Sequence, residues 1–166
     1  MVMITLEQML INLIIALALG AFIGLERELA RKEAGIRTAM LVCGGAAIFS
    51  MVALILPYII TTNSQGNLSD VLARNSGFLT IIANIVVGIG FLGAGIIIKT
   101  KEHVHGLTTA ADIWMASAIG VLVGIGLSSF AVAATAIVVL LLFILRKAKI
   151  SEKIDSDFPG KDDDGN

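Results

Sequence analysis

Charged residues divide this chain of 166 residues into four long uncharged blocks: Gln8–Leu25, Thr38–Ser69, Asn75–Ile98 and Ile113–Leu145. A bilayer core of about 30 Å needs about 20 helical residues to cross it. Each of the first three blocks therefore holds one span, at about 5–25, 39–60 and 77–98. The fourth block would make a helix of about 50 Å, too long for one crossing. The turn-like cluster Gly124-Ile125-Gly126-Leu127-Ser128-Ser129 divides it. The last span is then about 127–145. The fourth, at about 109–125, must reach back before Ile113 and take Thr109 and Asp112 into the membrane zone. The pattern predicts an all-α polytopic membrane protein with a bundle of five transmembrane helices over residues 1–146. A short polar tail, 147–166, ends in Asp162-Asp163-Asp164 and is expected to be disordered.

Composition agrees with this pattern. The chain is 57% hydrophobic and 15% charged, against about 25% charged in soluble domains. Net charge is −1, which offers nothing for nucleic acid. The single cysteine, Cys43, excludes an internal disulfide and a cysteine metal cage, and its apolar setting suits a small packing residue.

Lys and Arg set the orientation. Arg27, Arg31, Lys32 and Arg37 follow span 1. Lys99 and Lys101 follow span 3, and Arg146, Lys147, Lys149, Lys153 and Lys161 follow span 5. Only Arg74 falls on the other side. The N-terminus is therefore expected outside and the C-terminus in the cytoplasm. Span 1 lacks a basic leader, so it is expected to stay as a helix rather than be cleaved as a signal peptide.

Gly88-Ile89-Gly90-Phe91-Leu92-Gly93 satisfies G-x-G-x-x-G, but that fingerprint needs a preceding strand and a solvent-facing helix start. Here it lies inside an uncharged membrane block, where a pyrophosphate would sit in hydrocarbon. Small residues permit close backbone contact between helices in lipid. Gly20 and Gly24, and Gly120 and Gly124, form G-x-x-x-G pairs, while Gly44 to Ala47 soften one face of span 2. Spans 1, 3 and 4 are thus expected to pack closely, with span 5 more lipid-facing. For Gly88, Gly90, Gly93 and Gly95 two readings stand: plain helix packing, or an interrupted helix that lines a site.

The polar residues within the spans carry the candidate chemistry. A carboxylate at the depth of Asp112 is costly unless paired or facing a polar cavity. One reading makes Asp112 a cation or proton ligand, with Glu26, Glu28, Asn84 and Thr109 as further polar groups. The other makes Thr109 and Asp112 the N-cap and N3 of a capping box. Glu26-Arg27-Glu28 points around most of the helix circumference, so Glu26 or Arg27 is expected to pair with Arg37 or Asp112. Glu28 and Lys32 have i,i+4 spacing, with Gly35 as a helix end. Asn12 and Asn84 suit bridges between helices. Trp114 suits an interfacial anchor. His103 and His105 lack a third ligand at fixed spacing, so no metal site is established. Asn67-Leu68-Ser69 is a glycosylation match of little weight. No catalytic set appears, and no enzyme activity is expected.

GAFIGLERE (20–28), GIRTAMLVCGGAA (35–47), GIGFLGAGIII (88–98) and GLTTAADIWMASAIGVLVGIG (106–126) together resemble the MgtC/SapB family of bacterial membrane proteins, over about residues 10–145. The resemblance implies an inner-membrane protein tied to magnesium limitation and, in pathogens, to survival inside host phagocytes. Members are often labelled magnesium transporters; the best-known are regulators that restrain the membrane ATP synthase. The motif residues it carries over are Glu26, Arg27, Glu28, Arg37, Thr38, Gly90, Gly93, Gly95, Gly106, Thr108, Thr109 and Trp114. Two departures stand out. Many members carry a C-terminal domain of about a hundred residues, where only a short tail is expected here, and Asp112 stands where members usually have a small or uncharged residue. The expected role is regulation of another membrane protein, such as the ATP synthase, in support of magnesium homeostasis, with the chain a homodimer in the bilayer and no resident cofactor. The alternative is a small cation conduit, with Mg²⁺ passing Asp112 and Glu26.

Overall fold

The computed structural model describes residues 5–64, 77–101 and 103–147. Helix α1 spans Leu6–Leu29, α2 Ile36–Ser64, α3 Gly77–Ile96, α4 Leu107–Gly124 and α5 Ser128–Lys147. All five are long and apolar enough to cross a membrane. Between α3 and α4 lies a two-stranded antiparallel ribbon, β1 (Ile98–Lys99) and β2 (Val104–His105), which pairs Ile98 with His105 and Lys99 with Val104. The charge pattern did not show this ribbon. The expected tail beyond Lys147, the Asn67-Leu68-Ser69 match and Arg74 lie outside the described residues.

Local chemistry accounts for the helix ends. Thr5 caps α1, its hydroxyl accepting from the Gln8 N–H at 3.3 Å. At the other end the Lys32 N–H donates to the Arg27 carbonyl and the Arg31 N–H to the Glu28 carbonyl. This is the paired Schellman closure. The residue in the left-handed conformation is Arg31, φ 54°, where glycine is usual. The expected helix end at Gly35 is therefore corrected: α1 stops at Leu29, and the chain has already reversed when it reaches Gly35. Glu28 does not reach back to Lys32. Its carboxylate accepts the Ile36 N–H at 3.1 Å and caps the start of α2 from eight residues away. Closure of the same kind ends α4, with Gly126 at φ 87°.

The packed centre is made by α1, α2 and α4. Ala16, Leu19 and Ile23 of α1 meet Ala39, Cys43, Ala47 and Met51 of α2 and Ala116, Ile119 and Val123 of α4. The two G-x-x-x-G pairs both press on α2. A Cβ on Gly20 would meet the Ala39 carbonyl at 2.6 Å, and one on Gly24 the Ile36 Cα at 2.5 Å. A Cβ on Gly120 would run into the Cys43 carbonyl, and one on Gly124 would lie 2.6 Å from the Ala47 carbonyl. Backbone-to-backbone contact of this kind is how helices gain dispersion energy in lipid, where no hydrophobic force drives them together.

Helix α3 is different. It runs unbroken through GIGFLGAG, so the interrupted-helix reading is corrected. Gly88, Gly90 and Gly95 have nothing within 4 Å of an added Cβ, and Gly93 alone rests on another helix, 3.4 Å from the Ala110 side chain. Of the packing expected among spans 1, 3 and 4, α3 does lie against α4, with Gly93 at the contact, but among the described residues it makes little contact with α1; α2 packs on both α1 and α4. α5 buries only Ala131 and Thr135, and its Thr135 hydroxyl donates to the Ala131 carbonyl at 2.8 Å.

Candidate functional site: a buried ion network

The ends of α1 and α5, the starts of α2 and α4, and the α1–α2 connection converge at one end of the bundle. Arg27, in the last turn of α1, is 4% exposed; Thr109 and Asp112, on successive turns of α4, are 2% and 9% exposed. Arg27 Nε lies 2.8 Å from Asp112 Oδ2. The N–H is not aimed along that line, so the contact is an ion pair rather than a directed hydrogen bond. Arg27 Nη2 donates to Thr109 Oγ1 at 2.8 Å, and the Thr109 hydroxyl donates in turn to Glu33 Oε2 at 3.0 Å. One guanidinium thus holds Asp112 directly and Glu33 through a hydroxyl relay.

Glu33 sits outside the spanning segments. Its own backbone N–H, then the Thr109 hydroxyl, with Lys32 and Arg27 nearby, hold its carboxyl below the ordinary glutamate range. Sequence reasoning missed Glu33 because it stands among exposed charges, Arg31 and Lys32, where a solvated face is the default. Its spacing before Gly35 carried no signal.

The capping-box reading of Thr109 and Asp112 is corrected. Gly106, φ 84°, is the N-cap of α4, and no side chain caps it. That places Thr109 at N3 and Asp112 a turn further in, where both side chains serve Arg27. Gly106 has to be glycine on two counts: its backbone is left-handed, and a Cβ would run into the Ile96 carbonyl at the end of α3.

Glu26, 7% exposed, turns the other way, towards α5. Its Oε1 lies 3.7 Å from Arg146 Nη1, and the Arg146 guanidinium stands 5.6 Å from the centroid of the Phe143 ring. The expectation was that Glu26 or Arg27 would pair with Arg37 or Asp112; Arg27 meets Asp112, and Glu26 does not meet Arg37. Arg37 is instead exposed, with no ion pair among the described residues.

Asn84 is not brought to this cluster. It lines a groove of about 420 Å³ between α2 and α3, with Leu41, Gly45, Phe49 and Gly88. Gly93 marks the level of Ala110 on α4. Asn84 is nine residues away from it, about 13 Å along the helix. No hydrogen bond from Asn12 or Asn84 bridges helices among the described residues. Trp114 is exposed. His103 and His105 are exposed on the ribbon, with ring centroids 6.1 Å apart. Among the described residues no group of three His, Cys, Asp or Glu is disposed to hold a metal ion.

Five long apolar helices and a charged network tucked into one end of them define a multi-pass membrane protein. Residues 13–150 match the sequence profile of the MgtC family. Protein MgtC of Salmonella typhimurium strain LT2 is 40% identical over 139 residues, 84% of this chain and 53% of that protein. Protein MgtC of Brucella abortus strain 2308 is 40% identical over 131 residues, 79% of this chain and 48% of its own length. The chain belongs to the MgtC family and spans about half the length of the curated relatives it matches. No solved structure matches it.

Proposed function

We propose that this chain is a non-enzymatic protein of the bacterial inner membrane, N-terminus outside and C-terminus cytoplasmic, that supports magnesium homeostasis by regulating another membrane protein. The distribution of Lys and Arg supports the orientation. The observation that carries the regulatory reading is the state of Asp112. A conduit would need this carboxylate free to exchange water for a passing cation, because Mg²⁺ is held by one or two carboxylates and retained water. Here Arg27 already neutralises it at 2.8 Å and Thr109 closes the same guanidinium from a second side. Asn84, the other polar group of such a path, lies towards the far end of α3.

A face available to another protein is α3, whose Gly88, Gly90 and Gly95 are open and whose Asn84 is exposed. A second copy or a partner such as the ATP synthase gains close backbone contact there. A homodimer about a two-fold axis is the simplest assembly.

The test is purified protein in liposomes loaded with a magnesium indicator, run beside affinity purification from membranes. Co-purified ATP-synthase subunits, lost in Gly90→Leu, and no flux under any gradient are the expected results. Magnesium flux that disappears in Asp112→Asn would replace the regulator with the conduit.

A further inference from the structure

A groove of about 530 Å³ runs between α1 and α5, lined by Leu19, Phe22, Val132, Ala136, Val139 and Leu140, with Glu26 and Arg146 also on its wall. Phe22, Val132 and Leu140 are all more than 45% exposed, so the groove opens sideways onto lipid rather than into the bundle. From Val132 to Phe143 its wall runs eleven residue steps along α5, about 16 Å at 1.5 Å per residue. One leaflet of a hydrocarbon core of about 30 Å has nearly that depth. The two charged residues stand towards the end where α1 and α5 finish, which is where a lipid's headgroup would lie if its chain filled the slot.

Those charges are an ill-matched pair by themselves. Glu26 is buried, yet its partner Arg146 approaches only to 3.7 Å, and the Arg146 side chain stays 40% exposed. A carboxylate at membrane depth with one distant partner is costly. Arg146 is held over the mouth by Phe143, with guanidinium donors left for an anion.

We propose that this groove binds a phospholipid whose headgroup carries a primary ammonium beside its phosphate, the phosphate on Arg146, the ammonium on Glu26 and one acyl chain along the apolar wall. Both protein charges are then satisfied by one zwitterion. A purely anionic headgroup would draw Arg146 to its phosphate and bring Glu26 no cation of its own. A quaternary ammonium offers Glu26 no N–H donor. The site is separate from the Arg27 network, which faces α4 from the next residue of the same helix.

The test uses the full chain purified in detergent and challenged with phosphatidylethanolamine, phosphatidylglycerol or phosphatidylcholine of identical acyl chains. Native mass spectrometry reads the lipid retained. Phosphatidylethanolamine should be held about tenfold more tightly than the other two, the scale of one charge-assisted hydrogen bond. Glu26→Gln should erase that preference. Ala136→Phe lies on the open face and fills the groove with both charges intact; it should lower retention of all three lipids, and it carries the test if Glu26→Gln does not fold. Equal retention of the three lipids by the unaltered chain would overturn the site, since the groove would then hold only unselected bilayer lipid, as would retention left undiminished by Ala136→Phe.

Discussion

Gly120 and Gly124 of α4 and Gly88, Gly90 and Gly95 of α3 all lie in helices apolar enough to cross a membrane, yet their surroundings are opposite. The α4 pair is pressed so closely on α2 that a Cβ would strike the Cys43 and Ala47 carbonyls, while the α3 glycines face open space. The α4 start also holds the Arg27 network, whereas α3 carries its one mid-span amide exposed. Glycine spacing in a membrane helix thus signals that a backbone can come close. Whether that backbone belongs to the same chain depends on which helices the connections bring together.

The comparison is broken most forcefully at its polar end. Arg27→Leu leaves Asp112 buried without a counter-charge and should cost about 3–5 kcal/mol. The double variant Arg27→Leu, Asp112→Leu should recover most of that loss. Asn84→Leu on α3 should leave the apparent melting temperature unchanged. Fluorescence-detected size exclusion after heating checks all three.

Next come the glycines themselves. Gly120→Leu should cost about 3 kcal/mol by overpacking against backbone that cannot move aside. Gly90→Leu should stay within about 0.5 kcal/mol, as surface substitutions do. If Gly90→Leu proves as harmful as Gly120→Leu in the same detergent, α3 is packed against another molecule there and the contrast between the two faces disappears.

Thr109→Val removes one donor and one acceptor from the Arg27 relay and should cost about 1–2 kcal/mol. The smallest effect concerns Glu33. Its carboxyl is held below its ordinary value, so the folded state favours the ionised form and gains stability from it. That gain is complete above the unfolded value of about 4.3 and is lost as pH falls through the lower folded value. Melting measured through Trp114 fluorescence should therefore lose a small increment on acidification, and Glu33→Gln should lack that increment.

The five helices were legible because uncharged length is what a bilayer demands, and the charges that interrupt it mark the crossings. Their ends were less so. α2 begins at Ile36 although Arg37 looked like loop, because the Glu28 carboxylate supplies its cap across the turn. α4 begins at Leu107, two residues before the expected start, because a left-handed Gly106 does the work assigned to a Thr109 side chain. At the site, the unusual depth of Asp112 and the crowding of Glu26-Arg27-Glu28 were enough to mark Arg27 and Asp112 as candidates for pairing. That Arg146 would be the residue to meet Glu26, or that Glu33 would be reached through Thr109, depends on α5 lying beside α1 and on the exact reversal at Arg31. Neither leaves a mark in local sequence.

Cys43 sits where both glycine pairs press on α2: its Cβ is among the atoms nearest Gly20 and its carbonyl is the atom nearest Gly120. It is fully buried and is the chain's only cysteine. An alkylating reagent can reach the sulfur only in the moments when α1, α2 and α4 part, so the labelling rate of the unaltered protein measures how often they do. A fully buried point of the bundle thereby keeps time for the parting of these three helices, with no probe to be introduced.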